Sequence, residues 1–268
     1  MTAAARLGAL FPGGPPLVAV VHLPPSPGYP SFPGLDAALA AVRADVTALA
    51  AGGVDGVLLE NDSDKPHTLT VSKAQVAWLT RACLAAREAA PLPLGVGVQR
   101  IDWEASLAVA AAAALDFVRL DVFVDRVRMQ GETVEVSPAA VCELRAALRA
   151  ERVQLFTDIQ VKHADLLGDA PIEWSAREAA ARGADAVVVT GARTGEPPAV
   201  DDLRRARAAA APVPVLVGSG LDAANAAALA PHADGVLVGT ALKLGDRIDP
   251  ERVRRVVEAW RSACASRR

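Results

Sequence analysis

The chain has 268 residues, 52% of them hydrophobic, and a formal net charge of −3. This length suits one large domain or two small ones. The near-neutral balance, with no basic stripe carrying interleaved aromatics, argues against a nucleic-acid surface. The longest apolar segment, residues 105–115 between Glu104 and Asp116, is too short to cross a bilayer as a helix, although peripheral contact with a membrane stays compatible. Arg6 and the short run 7–11 stop at Pro12-Gly13-Gly14 without a small-residue cleavage pattern, so no export signal is read. Cys83, Cys142 and Cys264 are odd in number and widely spaced, which suits reduced thiols in the cytoplasm.

Residues 17–21 (LVAVV) follow Pro15-Pro16 and end at His22; such unbroken apolar runs suit a parallel strand covered on both faces. A Pro/Gly-rich loop, 23–34, leads to a helix opening at Asp36 and closing near Gly52-Gly53. The second strand, 57–59, ends in Glu60-Asn61. After a polar loop through Lys65 and His67, Ser72 with Gln75 three residues on has the form of a capping box. The third strand, 94–98, runs into Gln99-Arg100-Ile101-Asp102 and an Ala-rich helix; the fourth, 117–120, ends at Asp121. Residues 124–136 read as a small hairpin or flap, and Ser137-Pro138 as an N-cap with proline at the first helical position. The fifth strand, 153–157, ends at Asp158, with Lys162-His163 beyond. A helix over about 173–182, a sixth strand, 186–189, ending in Thr190-Gly191, and a helix from near Val200 follow. The last strands, 213–217 and 236–238, run into Gly218-Ser219-Gly220 and Gly239-Thr240, with an Ala-rich helix opening at Asp222 between them; Asp249-Pro250 caps the final helix.

Strand and helix thus alternate eight times, which predicts an α/β fold, a single (β/α)8 TIM barrel with a parallel eight-stranded core spanning residues 1–268. Asp55, Asp116, Asp185 and Asp234 each stand just before an even-numbered strand, roughly 50–70 residues apart, as four two-strand units would place them. A doubly wound open sheet is the competing architecture. It would carry its glycine-rich turn after the first strand, whereas the best ones here come last.

Residues at the C-terminal ends of barrel strands converge on one mouth. Asp158, Lys162 and His163 are the most chemical-looking cluster there, with Glu60 and Asp121 as further acid–base candidates. Their bland reading is an ion-paired loop anchor. Lys162 could also form a Schiff base if buried, or simply hold an anion. No cofactor is required by any motif; a divalent metal is compatible with Glu60, Asp121 and His22, although their spacing matches no zinc pattern. Gly218, Ser219, Gly220, Gly239 and Thr240 suit a phosphate cradle on the last two strands, with His22, Asn61, Thr190 and Gly191 as further ligand-binding candidates. The bland alternative is that these glycines only make tight turns. Gly218-x-Gly220-x-x-Ala223 also fits a dinucleotide fingerprint, but Asp234 comes too early and opens its strand. The expected partner is therefore a small phosphorylated ligand, such as a sugar phosphate or nucleotide-like compound, and the expected assembly a homo-oligomer.

The segments VHLPPSPGYP (21–30), GGVDGVLLEN (52–61), DIQVKHA (158–164), VTGARTGEPP (189–198), VLVGSG (215–220) and ADGVLVGTALK (233–243) resemble the BtpA/SgcQ family over residues 18–260. The resemblance implies a TIM-type barrel. It also implies either an enzyme of small-metabolite chemistry, since one member belongs to a sugar-utilisation gene set, or an assembly factor of photosystem I biogenesis. The chain departs from the family in loop three, where GVQRID puts Gly97 and Ile101 in place of asparagines, and at Asp121, where asparagine is common; Arg100, Asp102 and Arg119 are kept.

Overall fold

The computed structural model describes residues 1–266. Eight parallel strands close into a barrel: β1 Leu17–His22, β2 Gly56–Glu60, β3 Leu94–Gly97, β4 Phe117–Leu120, β5 Gln154–Ile159, β6 Ala186–Val189, β7 Val215–Val217 and β8 Gly235–Val238. Each strand pairs with its sequence neighbours, and β8 closes on β1 through Leu17 opposite Val236. The open-sheet alternative is set aside by that closure. Helices α1 Ala3–Leu10, α2 Leu35–Gly52, α3 Lys73–Ala89, α4 Trp103–Ala112, α5 Pro138–Ala147, α6 Ile172–Ala181, α7 Val200–Ala210, α8 Ala226–Leu229 and α9 Pro250–Ala265 complete the chain.

The strand period of two divides the apolar residues into two cores. Leu17, Ala19 and Val21 face the helices, while Val18 and Val20 face the barrel interior with Leu58, Phe117, Phe156, Val188, Leu216 and Leu237. Phe117 stacks on Phe156 at a centroid distance of 4.6 Å. A Cβ on Gly95 would collide with the Phe117 ring, so the glycine in β3 makes room for the aromatic in β4. Sequence reading left residues 3–10 without an element. They form α1, capped by the Thr2 hydroxyl, and its Leu7, with the C-cap residue Phe11, plugs the barrel floor.

The four aspartates noted before even strands explain why the units repeat. In each case the aspartate carboxylate accepts from the first amide of the preceding odd strand, or from the one beside it: Leu17 N to Asp55 (2.8 Å), Leu94 N to Asp116 (2.9 Å), Leu155 N to Asp185 (2.9 Å) and Val215 N to Asp234 (3.0 Å). The aspartate's own amide returns the bond to the carbonyl of the same residue. An arginine then clasps the carboxylate, from the helix before the odd strand in three cases (Arg87, Arg145 and Arg207) and from the final helix α9 for Asp55 (Arg261). Each clasp ties two strands and a helix together at the floor, opposite the mouth.

Several boundaries differ from expectation. β5 runs to Ile159, so Asp158 lies inside the strand and is buried, not at its solvent end. The helix expected to open at Asp222 is the four-residue α8. Asp222 Oδ1 accepts from the amides of Ala224 and Asn225, making a capped turn first. A 3-10 turn at Ala230–His232, with Pro231 inside it, then ends the segment. The flap is a hairpin, Val127–Met129 with Glu132–Val134, and a third short strand, Asp165–Leu166, joins it from loop five.

Asp185→Ala leaves the buried Leu155 amide without its side-chain acceptor and removes the carboxylate from Arg6 and Arg145, which keep their bonds to the Glu151 and Val153 carbonyls. The expected loss is about 1–3 kcal/mol of unfolding free energy in urea. An unchanged midpoint would mean the clasp carries no stability.

Candidate active site

Inward parity carries past the apolar layer. Two residues beyond Leu58, Phe117 and Phe156 stand Glu60, Arg119 and Asp158, which therefore meet inside the barrel just below the mouth. The Arg119 guanidinium donates from Nε and Nη2 to the two Asp158 oxygens, both at 2.8 Å, and from Nη1 to Glu60 Oε1 at 3.1 Å. Gln99 Nε2 donates to the other Glu60 oxygen at 2.9 Å. Burial works against the guanidinium charge, but Asp158 first and Glu60 next outweigh it and push its pKa up. Arg119 is thus a fixed cation whose two carboxylates are occupied. A lone arginine in an otherwise apolar strand, at inward parity, is the signal that could have marked it.

Above this layer opens a pocket of about 580 Å³. Among the residues expected at the site, His22, Glu60, Asp121, Lys162, His163, Gly218, Ser219, Gly220, Gly239 and Thr240 line it. Asp158, Asn61, Thr190 and Gly191 do not. Asp158 lies beneath, against Arg119. Asn61 braces two loops, accepting from Gln99 N at 2.8 Å and donating to Asp64 at 3.3 Å. Thr190 is packed behind Gly218, and its hydroxyl is buried without a partner among the described residues. Gly191 donates its amide to Ser219 Oγ. Unforeseen lining residues are Asp62, Gln99, Arg100, Arg119, Arg252 and Arg255.

Asp121, Lys162 and His163 line the pocket without a side-chain hydrogen bond or ion pair among the described residues. Asp121 makes no hydrogen bond or ion pair among the described residues; burial first, then the Asp158 carboxylate, raises its pKa to about 7. Burial, then the charge of Arg119, lowers that of Lys162 despite three nearby carboxylates. His163 stands at the exposed rim, where partial desolvation, Arg100 and Lys162 bring it down to about 4, so its imidazole is neutral at pH 7. His22 and His67 flank Asp62 at 3.5 and 3.7 Å and are also lowered, chiefly by burial. Among the described residues no three His, Cys, Asp or Glu side chains are arranged to hold a metal ion; Arg119 already occupies Glu60 and Asp158.

The opposite wall is backbone. Gly220 has φ +72°, and a Cβ there would run into Glu196 and Pro197, so only glycine suits this approach. The Ser219 hydroxyl accepts from Gly191 and donates to the Glu196 carbonyl at 2.8 Å. It pins loop six and leaves only main chain to face a ligand. The amides of Gly220, Leu221, Thr240 and Ala241 make no hydrogen bond among the described residues. They are donors at the pocket wall without acceptors, as an anion site requires.

Comparison with known proteins bears on the family. The model of the BtpA family matches residues 14–262. The chain belongs to the BtpA family. It is 38% identical to an uncharacterized protein of Archaeoglobus fulgidus over 91% of this chain and 97% of that one. It is 33% identical to the photosystem I biogenesis protein BtpA of Synechocystis sp. over 94% and 90%. Among solved structures, this BtpA-family barrel is similar to (S)-3-O-geranylgeranylglyceryl phosphate synthase of Thermoplasma acidophilum, in complex with sn-glycerol-1-phosphate, at TM-score 0.64 and 16% identity, covering 98% and 99% of the two chains. It is also similar to thiamine phosphate pyrophosphorylase of Pyrococcus furiosus at TM-score 0.60 and 14% identity, covering 92% and 96%. Those two likenesses show the barrel fold. Among the described residues no helix is long and apolar enough to cross a membrane.

Two outcomes follow from the electrostatics. Arg119→Met leaves Glu60 and Asp158 buried without their cation and is expected to cost about 3–5 kcal/mol at pH 7 in urea unfolding; a loss below about 1 kcal/mol would contradict the central role of the guanidinium. Asp121 binds its proton more tightly folded than unfolded, so it withdraws stability as pH rises from about 4 towards about 7. Asp121→Asn is therefore expected to gain stability relative to the parent as pH rises from about 4 to about 7, by at most about 1.4 kcal/mol per pH unit, and to hold a constant difference above that. A difference independent of pH would contradict the raised carboxyl.

Proposed function

We propose that this protein is an enzyme acting on a small phosphorylated metabolite, a sugar phosphate or nucleotide-like compound, bound at the barrel mouth. The observation that carries the reading is the pairing, across one pocket, of unpartnered amides on loops seven and eight with two unpaired ionisable side chains, Asp121 and Lys162. The amides hold the phosphate; Asp121, poised near neutrality, moves a proton at the substrate carbon or oxygen presented to it, and Lys162 neutralises or protonates the oxygen that gains charge. Asp158 and Glu60 act through Arg119, setting the floor charge. His22 shapes the wall beside Gly239, and His163 takes a neutral place at the rim. Isomerisation, epimerisation, aldol-type cleavage and hydrolysis share this requirement. The phosphate-ester names of the two solved barrels are in keeping with such a ligand.

A second reading, an assembly factor of the photosystem I biogenesis type, is favoured by the 33% identity to the Synechocystis protein. Asp121 separates the two, because an assembly role gives its proton no task.

A panel of phosphate esters is expected to raise the melting temperature of the wild type by several degrees at saturating concentration. Thr240→Glu, an exposed position, sets a carboxylate at the cradle and is expected to abolish that shift with the fold intact. If no ester stabilises the wild type, the cradle reading fails. With a turned-over substrate, Asp121→Asn is expected to lose on the order of 10²–10⁴-fold in kcat. The wild-type rate is then expected to change across pH 7 in a profile that the variant lacks; unchanged turnover would remove Asp121 from catalysis.

A further inference from the structure

The pocket does not stop at the two phosphate loops. It continues as a groove between the turn at Asp222–Ala224 and helix α9, where Arg252, Arg255 and Val256 form its outer wall. Arg252 sits in the first turn of α9 and Arg255 three residues on, so both guanidiniums rise from one helix face with Cβ atoms about 5–6 Å apart. Neither side chain has a hydrogen-bond or ion-pair partner among the described residues, whereas Arg87, Arg145, Arg207 and Arg261 at the floor are clasped to carboxylates. The nearby acid, Asp222, spends Oδ1 on the amides of Ala224 and Asn225, and Asp249 caps α9 through the Arg252 amide at 2.8 Å. The positive end of α9 adds to the same field.

A phosphate monoester is satisfied by the amides of loops seven and eight. Two further unpaired guanidiniums, continuing the groove away from Asp121, exceed what one phosphoryl group needs. Guanidinium forks match phosphoryl oxygens in geometry and charge. We infer that the phosphate end of the ligand is a diphosphate: the inner phosphoryl on the loop amides and the outer one on Arg252 and Arg255, with the reacting end turned towards Asp121. This rests on the loops being a phosphate site, and deepens it to a substrate class, organic diphosphates.

The test compares inorganic phosphate with inorganic pyrophosphate by calorimetric titration of the full chain at fixed ionic strength, using the wild type, Arg252→Ala, Arg255→Ala and Thr240→Glu. The wild type is expected to bind pyrophosphate at least about tenfold more tightly than phosphate. Each arginine variant is expected to lose most of that ratio while its affinity for phosphate changes less than about threefold, and Thr240→Glu to lose both anions. Equal affinities in the wild type would overturn the diphosphate inference and leave the phosphate site standing. A preference retained in both arginine variants would overturn the role of Arg252 and Arg255. Binding of neither anion would overturn the phosphate site itself.

Discussion

One buried guanidinium sets the charge arrangement at the mouth. Arg119 enters the barrel from β4 at the level where the apolar interior ends, and it is stable there only because Asp158 and Glu60 meet it from β5 and β2. Removing any one of the three would strand charge in a dry interior. The same pairing decides which groups above it are free. With Asp158 and Glu60 occupied, Asp121 is the carboxylate left unpaired in that part of the pocket, and the fixed negative charge of Asp158 beside it, together with burial, holds it near neutrality. The floor thus sets the protonation of the layer above it.

The two ends of the barrel divide the work. At the floor, four aspartates use backbone amides and arginines to lock each odd strand to its even neighbour, while Phe11 and Leu7 of the N-terminal segment fill the opening. At the mouth, donors are left open instead: four amides on loops seven and eight and the guanidiniums of Arg252 and Arg255. Asp64 ties the two regions of the rim together, accepting from Ser26, Asn61 and Gln75 and so holding the Pro-rich first loop against the second. The floor arginines are clasped to carboxylates, whereas Arg252 and Arg255 in the outer groove are not, among the described residues.

Much of this was legible in the residues. Apolar runs closed by polar residues marked all eight strands, and the spacing of Asp55, Asp116, Asp185 and Asp234 foreshadowed the clasps, because each aspartate has to precede the strand it locks. The glycine turns after β7 and β8 were legible for the same reason: Gly220 must take a positive φ. Side-chain direction was not. Asn61, Thr190 and Asp158 all sit at or near strand ends, yet Asn61 braces two loops, Thr190 is packed behind Gly218, and Asp158, at inward parity, lies beneath the pocket as the partner of Arg119. Arg252 and Arg255 were hidden because a helical arginine spaced three from another looks like any solvated face; only the groove against Ala223 and Ala224 gives them a purpose.

The most direct measurement is a backbone amide chemical-shift titration of the protein with inorganic phosphate. If the mouth is an anion site built from open amides, Gly220, Leu221, Thr240 and Ala241 shift together along one saturable curve, and the shifts vanish in Thr240→Glu. Shifts that fail to saturate, or that scatter over the molecule and leave those four amides unmoved, would contradict the account.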